Sequence, residues 1–142
     1  MGWSPRWALR RPLPELRLFA TAAALLPVIR LLLLVAPFEA IHRRVRSASR
    51  APAAPAREDG VVSSVAWSVA AAARRIPFAT CLSQALAVQF LLARRGIEST
   101  LWLGARRTER GAFSAHAWVQ CGGRFVIGGP TEGFSLFPPL LP

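Results

Sequence analysis

The 142-residue chain contains no lysine, asparagine or tyrosine, and it has only two cysteines, two histidines and one aspartate. Without lysine, all eighteen cations are arginine, set against seven acids for a net charge of +11. Such a bias follows from a GC-rich coding background, which weakens any reading of the arginines as selected contacts. The charge has two readings, a solvated basic surface or an acidic partner such as a peptide, RNA or lipid. The arginines lack regularly interleaved aromatics, so nucleic acid is not expected as a partner. The cysteines, Cys81 and Cys121, allow at most one disulfide. No cleavable signal peptide is recognisable ahead of them, which points to reduced thiols in a cytoplasm. The cysteines and histidines lack zinc-ligand spacing, and no glycine-rich loop or close carboxylate pair is present. No metal or cofactor is therefore expected.

What the chain has in excess is apolar surface. Hydrophobic residues make up 53%, above the roughly 45–50% of ordinary soluble proteins. The length fits one domain with appendages. Residues 18–38, LFATAAALLPVIRLLLLVAPF, meet the length of a membrane span. Against a simple span, Arg30 lies inside the run, Pro27 interrupts it, and arginines flank both ends (Arg6, Arg10, Arg11 and Arg17; Arg43, Arg44, Arg46 and Arg50). The pattern predicts two or three short helices, the first from Pro14-Glu15 and the next from Pro27, packed in a bundle or lying on a surface. Phe38, Ile41, His42 and Val45 then share one face of an amphipathic helix.

SASRAPAAPAREDG, residues 47–60, reads as a linker. The organisation is thus an apolar, arginine-flanked helical segment (1–46), the linker (47–60) and a C-terminal domain (61–142). In that domain Val62, Val65, Ala66, Val69, Ala70 and Ala73 mark a helix face, with Glu58 and Asp59 at its start and Arg74 and Arg75 at its end. Pro77 stops it. A second helix follows from Cys81, with Leu82, Ala85, Leu86, Gln89 and Phe90 on one stripe and Gly96 as its stop. The period then falls to two. Leu101 and Leu103 oppose Thr100 and Trp102, and Ala115, Ala117 and Val119 oppose His116 and Trp118. Gly122-Gly123 turns the chain into a third strand, 124–127. Helices followed by an antiparallel sheet make an α+β fold.

Cys81 is either a small buried hydrophobe or a nucleophile. Thr80 is a plausible N-cap, which makes Cys81 the first helical residue, and a helix start favours the thiolate. The capping box lacks its Glu or Gln, because Ser83 stands at the third position. His116, on a strand of the following sheet, is the candidate base, since nucleophile and base meet in space rather than in sequence. A third group would orient the imidazole. With no asparagine in the chain and Asp59 in the linker, the acids near the sheet are Glu98, Glu109 and Glu132. Glu132 is the first choice because it follows the third strand; Gln120, on the His116 face, is the second. Either residue can equally be a solvated surface group.

CLSQALAVQFLLARRGIESTLWLGARR followed by AHAWVQCGGRFVIGG resembles the transglutaminase-like cysteine peptidases of lasso-peptide biosynthesis, in the stand-alone form of the C-terminal half of the B protein. The similarity runs from about Val61 to the end, with 35 positions from Cys81 to His116. The arginine-flanked apolar N-terminal segment is also similar to that of such proteins. The resemblance implies a papain-like catalytic domain over 61–142, with Cys81 as nucleophile and His116 as base. The implied reaction removes the leader from a precursor peptide through an acyl-enzyme. The family's third member is an acid on or after the strand following the histidine, whereas this chain reads Val126-Ile127-Gly128-Gly129 there and has no acid before Glu132. The implied partners are the precursor peptide, a small leader-recognition protein and an ATP-dependent cyclase that takes the freed core, with the apolar N-terminal helices as a docking surface. Two alternatives from other classes are a catalytically silent scaffold of the same pathway and a small membrane-associated protein.

Overall fold

The computed structural model describes residues 13–49 and 58–139; Arg6, Arg10, Arg11, Arg50 and most of the linker lie outside the described residues. The apolar run forms one helix, α1 (Leu13–Val35), which continues through Pro27. This corrects the expectation of a break there. A proline inside a helix removes one hydrogen bond and costs about 3 kcal/mol. Packing on both sides offsets that cost: Leu18, Ala22, Leu26 and Ile29 are buried, and α1 lies against α3 (Glu58–Ala73) and α4 (Cys81–Ala93). Beyond Ile29, Leu33 still packs against the core, while Leu31, Leu32, Leu34 and Val35 are exposed. Over Pro14–Val35, 22 residues, α1 is long and apolar enough to cross a membrane, by length and composition.

α2 (Phe38–Ser47) is the amphipathic helix read from the sequence, with Ile41, His42 and Val45 buried. Phe38 stacks on the His42 ring at 5.5 Å and 9°. Burial, and secondarily the Arg46 charge, push the His42 pKa below its ordinary value; the nearby Gln89 side chain offsets part of that shift. Among the described residues neither His42 Nε2 nor Gln89 Oε1 has a hydrogen-bond partner. Because the folded state resists protonating His42, the unfolded chain binds more protons below about pH 6.5, and stability falls as pH drops through that range. Thermal unfolding followed from pH 8 to 5.5 should show the melting temperature falling more steeply for the parent than for His42→Phe. Equal slopes would remove His42 as the cause.

α3 turns Val62, Val65, Val69 and Ala72 inward, while Ala66, Ala70 and Ala73 of the predicted face are only half-buried. α4 is buried on nearly every side, with Ser83, Ala85, Leu86, Ala87, Val88, Gln89, Leu91 and Leu92 inside, as expected of a helix that is apolar all round. It ends where Gly96, at φ 72°, takes the left-handed conformation and Ile97 N–H bonds back to the Leu92 carbonyl.

The antiparallel sheet has the order β3-β2-β1-β4, built from β1 (Thr100–Arg107), β2 (Phe113–Cys121), β3 (Arg124–Ile127) and β4 (Ser135–Leu136). In the β1/β2 register Leu101 faces Val119 and Leu103 faces Ala117, and Leu101, Ala117 and Val119 join the helical core. Trp102, His116, Trp118 and Gln120 alternate onto the other face. Gly122 and Gly123, at φ 56° and 79°, supply the positive-φ pair that a two-residue hairpin turn requires. β4 leaves no signal in the sequence, because two residues carry no period. It pairs with β1 at Gly104 and Ala105.

Candidate active site

Thr80 is extended, at φ −93° and ψ 164°, and caps α4. Its Oγ1 accepts from Ser83 N–H at 3.2 Å, and Ser83 Oγ accepts from Thr80 N–H at 2.8 Å. The box is therefore complete, contrary to the sequence expectation. The buried Ser83 hydroxyl also donates to the Thr80 carbonyl at 2.9 Å, so a serine side chain is long enough at this position. Replacing Thr80 by valine removes the cap acceptor at nearly constant volume and should cost about 1 kcal/mol, read as a lower urea midpoint. An unchanged midpoint would show that the cap adds nothing to stability.

Cys81 is thus the first residue of the most buried helix, and its thiol is free and half-buried. Ser83 N–H goes to the cap and Gln84 N–H to the Thr80 carbonyl. Among the described residues no hydrogen bond engages the N–H groups of Cys81 or Leu82. Two donors at the positive end of α4 are available to an oxyanion beside the thiol. Cys121 is buried, with its Sγ 3.4 Å from the Glu98 carbonyl oxygen.

His116 packs edge-on against Trp118, with ring centroids 4.7 Å apart, and tilted against Phe134 at 5.6 Å. Its Nε2 lies 2.6 Å from the Gly128 carbonyl oxygen. A carbonyl only accepts, so the neutral ring carries its proton on Nε2 and leaves a lone pair on Nδ1. Trp118 Nε1 donates to the next carbonyl, Gly129, at 3.1 Å.

α4 lies against β2 and β1 of the sheet. Near its end Gln89 Nε2 meets the Ser99 carbonyl at 3.4 Å, just before β1. Cys81 lies about 12 Å back along the helix axis, equivalent to about three or four strand residues. Ala117 and Val119 of β2 face this helical core, whereas His116 projects from the opposite face of the sheet, as Trp118 does. β3 pairs with β2 only as far as Val119 and Ile127. Beyond that pair the Gly128 segment closes on β2 beside Ala117 and His116. No hydrogen bond joins Cys81 to His116 in this resting arrangement.

Glu132 is exposed in a turn, and no hydrogen bond or ion pair joins it to His116. Gln120 Oε1 accepts from Trp102 Nε1 at 3.0 Å. Neither Glu98 nor Glu109, both exposed, has a hydrogen bond to the ring. The group that does meet His116, the Gly128 carbonyl, left no side-chain signal in the sequence.

The family model described as the transglutaminase-like superfamily matches residues 24–139, and the chain belongs to that superfamily. It includes cysteine peptidases, and its members are commonly cysteine-based enzymes. Neither a search of curated proteins nor one of solved structures returns a match.

Proposed function

We propose that the protein is a cysteine peptidase that removes the leader from a ribosomally made lasso-peptide precursor before macrocyclisation. The observation that supports this reading is Cys81 at the capped start of α4, in a chain of the transglutaminase-like superfamily that also carries His116 on β2. His116 Nδ1 takes the Cys81 proton. The thiolate attacks the carbonyl joining leader and core, a C–S bond forms, and the N–H groups of Cys81 and Leu82 receive the oxyanion. The imidazolium then protonates the leaving amine, the C–N bond breaks and the core departs. Water, deprotonated by His116, hydrolyses the thioester, so that the leader leaves as a carboxylate and the thiol is restored. Catalytic hydrogen bonds are often long before substrate binds, and the thiol–imidazole contact forms in the complex.

A separate leader-recognition protein delivers the precursor, and an ATP-dependent cyclase takes the freed core. The exposed Leu31, Leu32, Leu34 and Val35 at the end of α1 offer the delivering partner an apolar surface. The same exposed turn favours a second reading, a protein held at a membrane in the cytoplasm. The exposed position of Glu132 favours a third, a silent scaffold of the same pathway. The neighbouring precursor peptide, incubated with the protein with and without the recognition partner and read by mass, separates these readings. Leader release that depends on this chain is the expected result. An intact precursor in the presence of both proteins would leave the scaffold reading.

A further inference from the structure

We infer that the main-chain carbonyl of Gly128 holds the third position of the site, orienting His116 in place of an acidic side chain. The inference rests on the reading of His116 as the base. Its physical basis is separate from that reading and lies in how the segment after β3 is built.

Gly128 adopts φ +110°, a conformation that favours glycine. A Cβ at this position would stand 2.7 Å from the Ala117 carbonyl oxygen and would also collide with the Trp118 indole. The main chain can therefore approach β2 this closely only at a glycine, and the approach puts the Gly128 oxygen 2.6 Å from His116 Nε2. The next carbonyl is fixed in the same way, by the Trp118 indole N–H. Two successive carbonyls are thus pinned by two side chains of one face of β2. Phe134 closes over both rings, at 5.6 Å from His116 and 5.0 Å from Trp118, and the Arg106 guanidinium lies 4.7 Å over the Phe134 ring.

The consequence is a fixed tautomer. The carbonyl accepts from Nε2–H, so the Nδ1 lone pair is the one free to take the thiol proton. It also accepts from the imidazolium once that forms, as a neutral dipole rather than a full charge. In a triad the acid chiefly holds the ring in the right tautomer and orientation and stabilises the imidazolium, and a wrong tautomer alone costs about four orders of magnitude in rate. Gly128 as positioning residue supplies the first of these roles in full and the second in part. No carboxylate is then required near the ring, which accounts for a sheet end that has no acid before Glu132.

Nitrogen NMR of the histidine-labelled full-length protein at pH 8 tests this without any substrate. The signals of the two rings are separated with the His42→Phe variant. His116 should show the Nε2–H tautomer in the parent and, unchanged, in Glu132→Gln. In Trp118→Phe, which frees the Gly129 carbonyl while keeping an aromatic ring in place, the signal should move toward a tautomer mixture. In the cleavage assay kcat of that variant should fall about tenfold with KM unchanged. An Nδ1–H ring in the parent, or a tautomer that changes in Glu132→Gln but not in Trp118→Phe, would overturn the assignment. Because the tautomer is read on the free protein, failure of the proposed peptidase activity would show in the cleavage assay alone.

Discussion

Cys81→Ala releases no leader from the cognate precursor, while its circular dichroism and urea midpoint stay close to those of the parent. The expected loss is about three orders of magnitude or more, since removal of a nucleophile that acts as a unit with its base eliminates the covalent route. The fold should tolerate the change for structural reasons. Cys81 is half-buried at the first helical position, among the described residues no hydrogen bond engages its thiol, and alanine is the best helix former. The cap belongs to Thr80 and Ser83, which are untouched. Cys121→Ala provides the internal control: a buried thiol at the far end of β2, whose loss should leave cleavage intact. If Cys81→Ala cleaves at the parental rate, Cys81 is a structural residue and the peptidase reading falls with it.

Trp118→Ala should destabilise the protein by about 3–5 kcal/mol, the usual range for emptying a large buried aromatic site. Against a total of about 5–15 kcal/mol for a domain, that is enough to leave a substantial fraction unfolded at 37 °C. Trp118 has 0% exposure although it lies on the sheet face turned away from the helices. Its surroundings are cut to fit the indole. A Cβ on Gly104 would stand 2.9 Å from Trp118 Cζ3, and one on Gly128 would also collide with the indole. Phe134 meets the ring edge-on at 5.0 Å, and Gly129 accepts from Nε1. The measurement is a urea titration by fluorescence, set beside Trp102→Ala, which removes a half-buried indole on the same face. A loss below about 1 kcal/mol for Trp118→Ala would mean that the 128–134 segment does not form a second core.

Trp118 also shows where the sequence stops being informative. Alternation assigned His116 and Trp118 to one face and Ala117 and Val119 to the other, and both assignments hold. Alternation says nothing of what later covers a face. The covering comes from a short return, Gly128 to Leu136, with a two-residue strand that leaves no period and turns that rest on positive-φ glycines. The α1 helix differs in the same sense. Pro27 is a local signal to stop, and tertiary packing through Leu18, Ala22, Leu26 and Ile29 overrides it. In the sequence Ser83 is a gap in a capping box, because the usual third residue is longer, whereas burial holds its hydroxyl within reach of the Thr80 N–H.

The candidate site was legible in the parts that depend on side chains. Thr80 as cap, Cys81 as first helical residue and His116 on a strand of the following sheet all follow from spacing and capping chemistry. The third position was not, because the acceptor that meets His116 is a main-chain oxygen. Every residue carries such an oxygen, and only the course of the backbone decides which one comes within reach. Among the acids Glu132 is the one the sequence offers, and the structure leaves it exposed.

The central claim is that Cys81 bears the acyl group during turnover. Parent protein mixed with the precursor and its recognition partner, quenched in acid within the first turnover and digested for peptide mass mapping, tests it most directly. The account predicts a Cys81 peptide heavier by the mass of the leader less one water, absent when the mixture is left to complete hydrolysis. Leader release without any adduct on Cys81, or an adduct on Cys121, would contradict it.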